Sequence, residues 1–338
     1  MKLLYKQPSK ETIEAMAEVA GHPINTEREN SYLRETESKI IAKTKHLHGK
    51  IVNSGNAAIL IAMNAIDGPI LIPDQGGWHG FKQIAKFLNK EIVMVETDYG
   101  LITKEYLDKI DLQKVAKNTN ENNKENIEYS KPAIFLTSFA GYTAEQPIEE
   151  ISNWCRKNNV LLVEDASGSI TDPEKKLANG IYSDIIVGST SSPKVINVGD
   201  GGFITTSNNK IFERSKLLLK VCRSNDITNK GISTEVDFAE DNLKKTIEAT
   251  TYIKNNLDNV FHPDKRGTNV IIANRDPHTM IRNLKIKFNV KGKSIITNCP
   301  NYNRIKQRGI AIEIKNLNTK CLTKENLDEI IETIKRFQ

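Results

Sequence analysis

Seven short aliphatic runs punctuate the chain between residues 50 and 207: "KIVNS" (50–54), "PILIP" (69–73), "EIVMVE" (91–96), "AIFLTS" (133–138), "NVLLVED" (159–165), "SDIIVGS" (183–189) and "GGFITTS" (201–207). Helix-like stretches such as "NAAILIAMNAI", "GFKQIAKFLNK" and "PIEEISNWCRKNN" lie between them, the last with proline at its first turn. Strands rich in Val, Ile and Leu, apolar on both faces, belong to a mostly parallel sheet covered by helices on each side. The expected fold class is therefore α/β: a three-layer α/β/α large domain around a mostly parallel seven-stranded sheet. The polar segment 117–131 reads as a surface loop or helix extension.

After residue 208 the pattern changes. A helical "NKIFERSKLLLKVC" precedes a longer helix, "DFAEDNLKKTIEATTYIKNNLDN", for which Asp237 is a plausible cap. The run "TNVIIANR", a helical "PHTMIRNLKIKF", the strands "KSIIT" and "GIAIEIKN" and a final helix, "TKENLDEIIETIKRF", complete a smaller α+β domain. The expected division is residues 1–207, a large domain with an N-terminal helical segment, and residues 208–338.

Composition narrows the class. Hydrophobic residues make up 38% and charged residues 27% of 338, enough for a sizeable core. The longest apolar stretch, "AAILIAMNAI", is too short to span a bilayer, and the N-terminal "MKLLYKQPSKETIEAM" lacks the apolar core of a signal peptide. A cytoplasmic protein without a membrane anchor is the expectation. Cys155, Cys222, Cys299 and Cys321 form no CxxC pair, so neither a metal site nor a disulfide framework is expected. The net charge of +6 is dispersed, which fits a solvated surface and leaves a nucleic-acid partner open.

In open parallel sheets ligands bind at the carboxyl ends of the strands. Ser54-Gly55-Asn56 lies at such an end. Its glycine admits a ligand to the backbone, and the helix start behind it favours a phosphate, although many bare strand–helix turns also need glycine. "PDQGGWHGF" (73–81) offers Trp78 as a plate for an aromatic ring or as a core plug, with His79 the weaker stacking or proton-transfer group. "LLVEDASGS" (161–169) ends in Glu164 and Asp165, which alternation sends to opposite faces. Asp165, set deep, requires a partner such as a protonated ring nitrogen, or else caps a helix. In "GSTSSPKVINVGDGG" (188–202), Lys194 stands among small residues with no charged neighbour before Asp200. That setting suits an amine held neutral for attack on an aldehyde. Phosphate cradle, aromatic plate, carboxylate and lysine together suit pyridoxal 5′-phosphate, with Ser189 adding a hydroxyl to the phosphate.

With these motifs in order, the chain resembles the fold-type I pyridoxal-phosphate enzymes, in particular the DegT-type sugar aminotransferase family. Ser54-Gly55-Asn56 matches its Ser-Gly-Thr phosphate turn, Trp78 its stacking aromatic, Asp165 its "EDA" carboxylate, and Ser189 its serine five positions before the lysine. Lys194 and "GDGG" (199–202) match its Lys…G-[DE]-G-G run. The similarity covers roughly residues 35–207. It implies a homodimeric aminotransferase in which Lys194 forms a Schiff base with the cofactor and serves a small-molecule amino donor and acceptor. Arg308, just ahead of a small-domain strand, stands where many fold-type I enzymes bind a substrate carboxylate, or else belongs to a solvated basic loop with Arg304 and Lys306.

Two departures open alternatives. Gly168 replaces the glutamine or histidine usual three residues after the aspartate, and Ser138 stands where a histidine is often found. "TSFAGYTAEQPIEEI" (137–151) is also similar to a run in cysteine-desulfurase-like enzymes. A sulfur-transferring enzyme using Cys299, a tRNA-linked enzyme, or a degenerate regulatory homologue are the other readings.

Overall fold

The computed structural model describes residues 3–21, 26–112, 130–290, 293–301 and 304–337. Most of the segment 117–131 lies outside them. The seven strands are β1 (His48–Val52), β2 (Ile70–Pro73), β3 (Ile92–Val95), β4 (Ala133–Thr137), β5 (Leu161–Asp165), β6 (Ile185–Ser189) and β7 (Gly202–Thr206), in the spatial order β1-β7-β6-β5-β4-β2-β3. Only β7 runs against its neighbours, pairing antiparallel with both β1 and β6. Six strands therefore end at one edge of the sheet, and β7 begins there.

Alternation along each strand makes the three layers. Leu71, Ile134, Leu136, Leu162, Ile186 and Phe203 join one apolar cluster; Ile70, Ile72, Phe135, Val163, Val187 and Ile204 join another on the opposite face. The second cluster takes in helices α3 (Gly55–Asn64) and α4 (Gly80–Phe87), which follow the N-terminal α1 (Lys10–Gly21) and α2 (Thr26–Thr44) in the chain. The first takes in α5 (Ile148–Lys157) and part of a 30-residue helix, α6 (Asp226–Asn255). In α5, Glu149 and Glu150 open the helix and Arg156 and Lys157 close it, both favourable to the helix dipole. Pro147 sits just before that helix rather than inside its first turn.

The long helix departs from the expectation. It starts at Asp226, where the Asn225 side chain accepts from Thr228 N at 2.9 Å. Asp237 is therefore no cap; it lies inside the helix and pairs with Lys39 at 2.7 Å. The apolar period continues upstream through Ile232 and Val236, which are buried. The same helix reaches the third apolar cluster through Ala249 and Ile253. That cluster fills an α+β unit built on strands β8 (Val270–Ala273), β9 (Ile296–Cys299) and β10 (Gly309–Ile312), in the order β8-β10-β9. The N-terminal arm reaches this unit: Lys6 N donates to Asn316 O at 2.7 Å and Leu3 packs on the cluster. No helix among the described residues is long and apolar enough to cross a membrane.

Candidate active site

Four strand tips and two glycine turns meet at the carboxyl edge of the sheet. Ser54 caps α3, its hydroxyl accepting from Ala57 N at 3.1 Å. The amides of Gly55 and Asn56 come ahead of the first helical bond, which runs from Ala58 N to Ser54 O. Gly55 touches Ser189: a Cβ on it would stand 2.6 Å from Ser189 Cβ. Gly202 makes the same kind of approach from β7, where a Cβ would fall 2.5 Å from the Ser54 carbonyl carbon. The "GDGG" turn is thus small because it presses on the Ser54–Gly55 peptide.

Trp78 is oriented by this turn, its indole Nε1 donating to Asn56 Oδ1 at 2.9 Å. The Lys194 amine lies 6.0 Å from the Trp78 ring centroid. Glu164 and Asp165 point to opposite faces. Glu164 is fully buried and saturated by Ser138 Oγ (2.7 Å), Ser183 Oγ (2.7 Å) and Ala178 N (2.9 Å). Ser138 therefore serves Glu164. Asp165 caps no helix; its Oδ1 accepts from Ser167 N (3.0 Å) and Ser167 Oγ (2.5 Å), closing a short turn. Among the described residues no hydrogen bond reaches its Oδ2. Burial raises the Asp165 carboxyl above the usual range, although Lys194 draws it down.

Lys194 is half-buried and donates to Tyr142 Oη at 2.8 Å. The setting is not the low-charge pocket expected for it. Burial lowers the affinity of its amine for a proton, yet Tyr142 and Asp165 outweigh that and hold it above the ordinary lysine value. Small residues at 188–193 give room, but charge enters from distant segments. Arg304 and Lys315 both lie over the Tyr142 ring, at 5.2 and 5.0 Å from its centroid. They pair with Glu313, whose carboxyl they hold far below the usual range against its burial.

Neither Tyr142 nor Arg304 was singled out by the sequence, and the only local signal was the departure at Gly168. A Cβ on Gly168 would stand 3.3 Å from Tyr142 Cε1, so the tyrosine ring fills the space beside it. Arg308 lies elsewhere. Its side chain is exposed and lines a surface cleft with Asn274 and Asp276. Cys299 is buried in β9, donates to Ile305 O at 3.1 Å, and is pushed up to about 12 by burial. Burial of this kind disfavours the thiolate that sulfur uptake needs.

Comparison with known proteins decides the family. A model of the DegT/DnrJ/EryC1/StrS aminotransferase family matches residues 7–240. The chain belongs to that family. Residues 240–335 match a second model, the MJ1341 family C-terminal domain, so the two matches meet inside α6. Two curated relatives, both UDP-4-amino-4,6-dideoxy-N-acetyl-beta-L-altrosamine transaminases of Campylobacter jejuni strains, are 32% and 33% identical over 100 residues. Those matches cover 30% of this chain and only 25% of each relative. The fold is shared end to end with a DegT DnrJ EryC1 StrS aminotransferase from Brucella abortus (TM-score 0.72, 14% identity, 96% of this chain and 95% of that one). It is also shared with Helicobacter pylori PseC, an aminotransferase of pseudoaminic acid biosynthesis (TM-score 0.72, 16% identity, 99% of both chains). Serine palmitoyltransferase from S. paucimobilis superposes with a TM-score of 0.73 at 14% identity, over 99% and 86%. The α/β architecture is that of the fold-type I enzymes.

Proposed function

We propose that this protein is a pyridoxal-phosphate-dependent aminotransferase whose reacting amine is Lys194. One observation carries the reading: Asp165, buried at a strand tip beside Lys194, keeps an oxygen that no hydrogen bond from the described residues reaches. A buried carboxylate with a spare oxygen fits a cationic ring nitrogen. Around it stand a turn and a serine fitted for phosphate and an indole placed to cover a ring. The residues present fit the cofactor.

When bound, pyridoxal phosphate supplies an aldehyde that takes up amines and an electron-withdrawing ring. The chain supplies the rest. The Gly55 and Asn56 amides and the Ser189 hydroxyl hold the phosphate at the start of α3. Asp165 would pair with the ring nitrogen, and Trp78 would cover the ring and exclude water. Lys194 Nζ would hold the aldehyde end of the cofactor and, as a free amine, would carry the proton at the substrate's reacting carbon. The donor is a small amine or amino acid. For the acceptor we favour a keto sugar carried on a nucleotide, supported by family membership and the 100-residue match to the two Campylobacter jejuni transaminases.

The division at residues 207 and 208 remains part of this reading, with α6 bridging both units. So does a homodimer: Leu217 and Val221, four residues apart on the helix Lys216–Val221, are 73% and 69% exposed. That helix leads to Cys222, whose carbonyl accepts from Asn53 N at 2.8 Å, just ahead of the phosphate turn.

The test is chemical. The purified protein is incubated with pyridoxal phosphate, reduced with borohydride, digested and mapped by mass spectrometry. The adduct is expected on Lys194, and Lys194→Ala is expected to lose it together with at least about 10³-fold of any transamination. An adduct confined to other lysines, or unchanged binding and turnover in Lys194→Ala, sinks the assignment.

A further inference from the structure

We propose that Tyr142 is a catalytic residue of this site: its hydroxyl keeps the Lys194 amine aimed in both of that amine's protonation states. The proposal rests on Lys194 being the reacting amine, as above. Three geometric observations support it.

The first is contact. The bond from Lys194 Nζ to Tyr142 Oη, at 2.8 Å, is the only hydrogen bond of that amine among the described residues. A phenol both accepts and donates. While the amine is charged, the phenol oxygen accepts one of its protons. Once the amine is neutral, the phenol O–H donates to the nitrogen lone pair. One contact serves both states with no net transfer, so the lysine holds its aim while protons come and go elsewhere.

The second is the backbone. Tyr142 sits in the left-handed region at φ 63°, a conformation that costs a residue with a side chain about 1 kcal/mol. The neighbouring chain imposes it. Thr268 N and Asn269 N donate to Tyr142 O at 2.8 and 2.9 Å. The next carbonyl, Thr143 O, accepts from the buried Lys254 ammonium at 2.6 Å, and that ammonium also binds the His262 and Lys265 carbonyls. Segments far apart in sequence thus fix where the phenol points.

The third is the room made for the ring. Gly168 leaves its Cβ position open 3.3 Å from Tyr142 Cε1 and 3.4 Å from Cδ1, and Phe139 lies beyond. A side chain at 168 would press on the ring, so the glycine is what lets the phenol stand beside the lysine.

The charged groups facing this pair are Asp165 from β5, and Arg304 and Lys315, neutralised in part by Glu313, from the smaller unit. All four are unchanged in a Tyr142→Phe protein, so a titration shift there reports the phenol. The measurement is the rate at which the cofactor-free protein takes up pyridoxal phosphate, followed by the growth of its visible band across pH. The contact is made in both states but is charge-assisted, and so stronger, while the amine is protonated. Its loss costs the charged state more, and the midpoint of the pH–rate profile is expected to fall by roughly one pH unit. Gly168→Ala, which keeps the phenol but crowds its ring, is expected to shift the midpoint the same way by less, and it serves if Tyr142→Phe folds poorly. Identical midpoints in wild type and both variants, with all three taking up the cofactor, overturn the role of Tyr142 and leave the aminotransferase reading intact. A wild type that takes up no cofactor overturns both.

Discussion

On one flank of Lys194 the facing groups come from strand tips and tight turns: Ser54–Asn56 after β1, Asp165 at the end of β5, Ser189 at the end of β6 and the glycines that open β7. On the other they come from loops brought together only by the tertiary fold: Tyr142, Arg304 and the Glu313–Lys315 pair. The first flank is small and sparsely charged, and it leaves an acceptor unused on Asp165. The second is crowded and paired, with Glu313 accepting from Arg304, Thr297, Asn269 and Lys315. Glu313 has both oxygens committed within the fold and is prepared to stay put, whereas Asp165 keeps an oxygen for a ligand. The two flanks divide the work between binding and rigidity.

Breaking the crowded flank has the largest expected effect on stability. Glu313→Gln removes the charge that Arg304 and Lys315 share and turns an amide NH₂ toward one of their neighbours. Taking one member from a buried ionic group costs about 3–5 kcal/mol. Urea unfolding of the cofactor-free protein is the measurement, and a loss below about 1 kcal/mol would mean that solvent already screens the cluster. The pH dependence has a defined sign. The Glu313 carboxyl is depressed in the fold, so its contribution is fully present above the ordinary carboxylate value, about 4.3, and is lost as pH falls through the lower folded value. Acid unfolding should therefore begin at higher pH in wild type than a Glu313-independent fold would allow, and Glu313→Gln should flatten that limb.

The same division explains what the sequence discloses. Strand tips lie at predictable places once the aliphatic runs are recognised, and Ser54, Gly55, Asp165, Ser189 and Lys194 all sit within a few residues of one. Each of the seven runs contains or overlaps a strand, because Val and Ile runs apolar on both faces admit no other covered sheet. Tyr142 escapes because nothing local marks it: its position depends on a left-handed backbone fixed by residues 254, 268 and 269, and on space left by Gly168. Arg304 and Arg308 are alike in sequence context, and only the fold of the segment before β10 separates the buried one from the exposed one. The cap assigned to Asp237 failed for a related reason. Asp is a good cap wherever it occurs, and the true start, eleven residues earlier, is hidden behind Thr, Asn and Gly that only burial makes helical.

A smaller effect probes the first flank by filling it. Gly55→Ala places a methyl group 2.6 Å from Ser189 Cβ, and the contact is to a strand-end residue rather than to a flexible side chain. Separation of β6 from the turn should cost about 1–3 kcal/mol. Cofactor affinity should fall with it, since the same movement pulls Ser189 away from the α3 amides. Equilibrium dialysis against pyridoxal phosphate, run beside thermal unfolding, separates these losses. Lowered stability with unchanged affinity would remove the turn from the phosphate site.

The sharpest contrast is the smallest in energy, because a carboxylate-to-amide change should have opposite signs on the two flanks. In the cofactor-free protein Asp165 is a buried carboxylate whose burial outweighs the attraction of Lys194, and its pKa is raised. Between the ordinary aspartate value, about 3.9, and the raised folded value, the fold holds a proton that the unfolded chain has released. Stability then falls as pH rises through that window, and above the raised value the fold carries the whole penalty of a charged carboxylate. Asp165→Asn removes that charge while its amide oxygen still accepts from Ser167. The cofactor-free variant should be more stable than wild type by about 1 kcal/mol near neutral pH, with the gap closing as pH falls toward the ordinary value. Glu313→Gln should lose stability under the same conditions. Loading with pyridoxal phosphate should reverse the order for Asp165, because only the carboxylate pairs with a charged ring nitrogen, and transamination should drop by about 10²–10³-fold in Asp165→Asn. Thermal unfolding of both variants, with and without cofactor, decides it. If Asp165→Asn destabilises the cofactor-free protein at neutral pH, the spare oxygen is already satisfied within the fold, and the two flanks do not differ in the way their geometry implies.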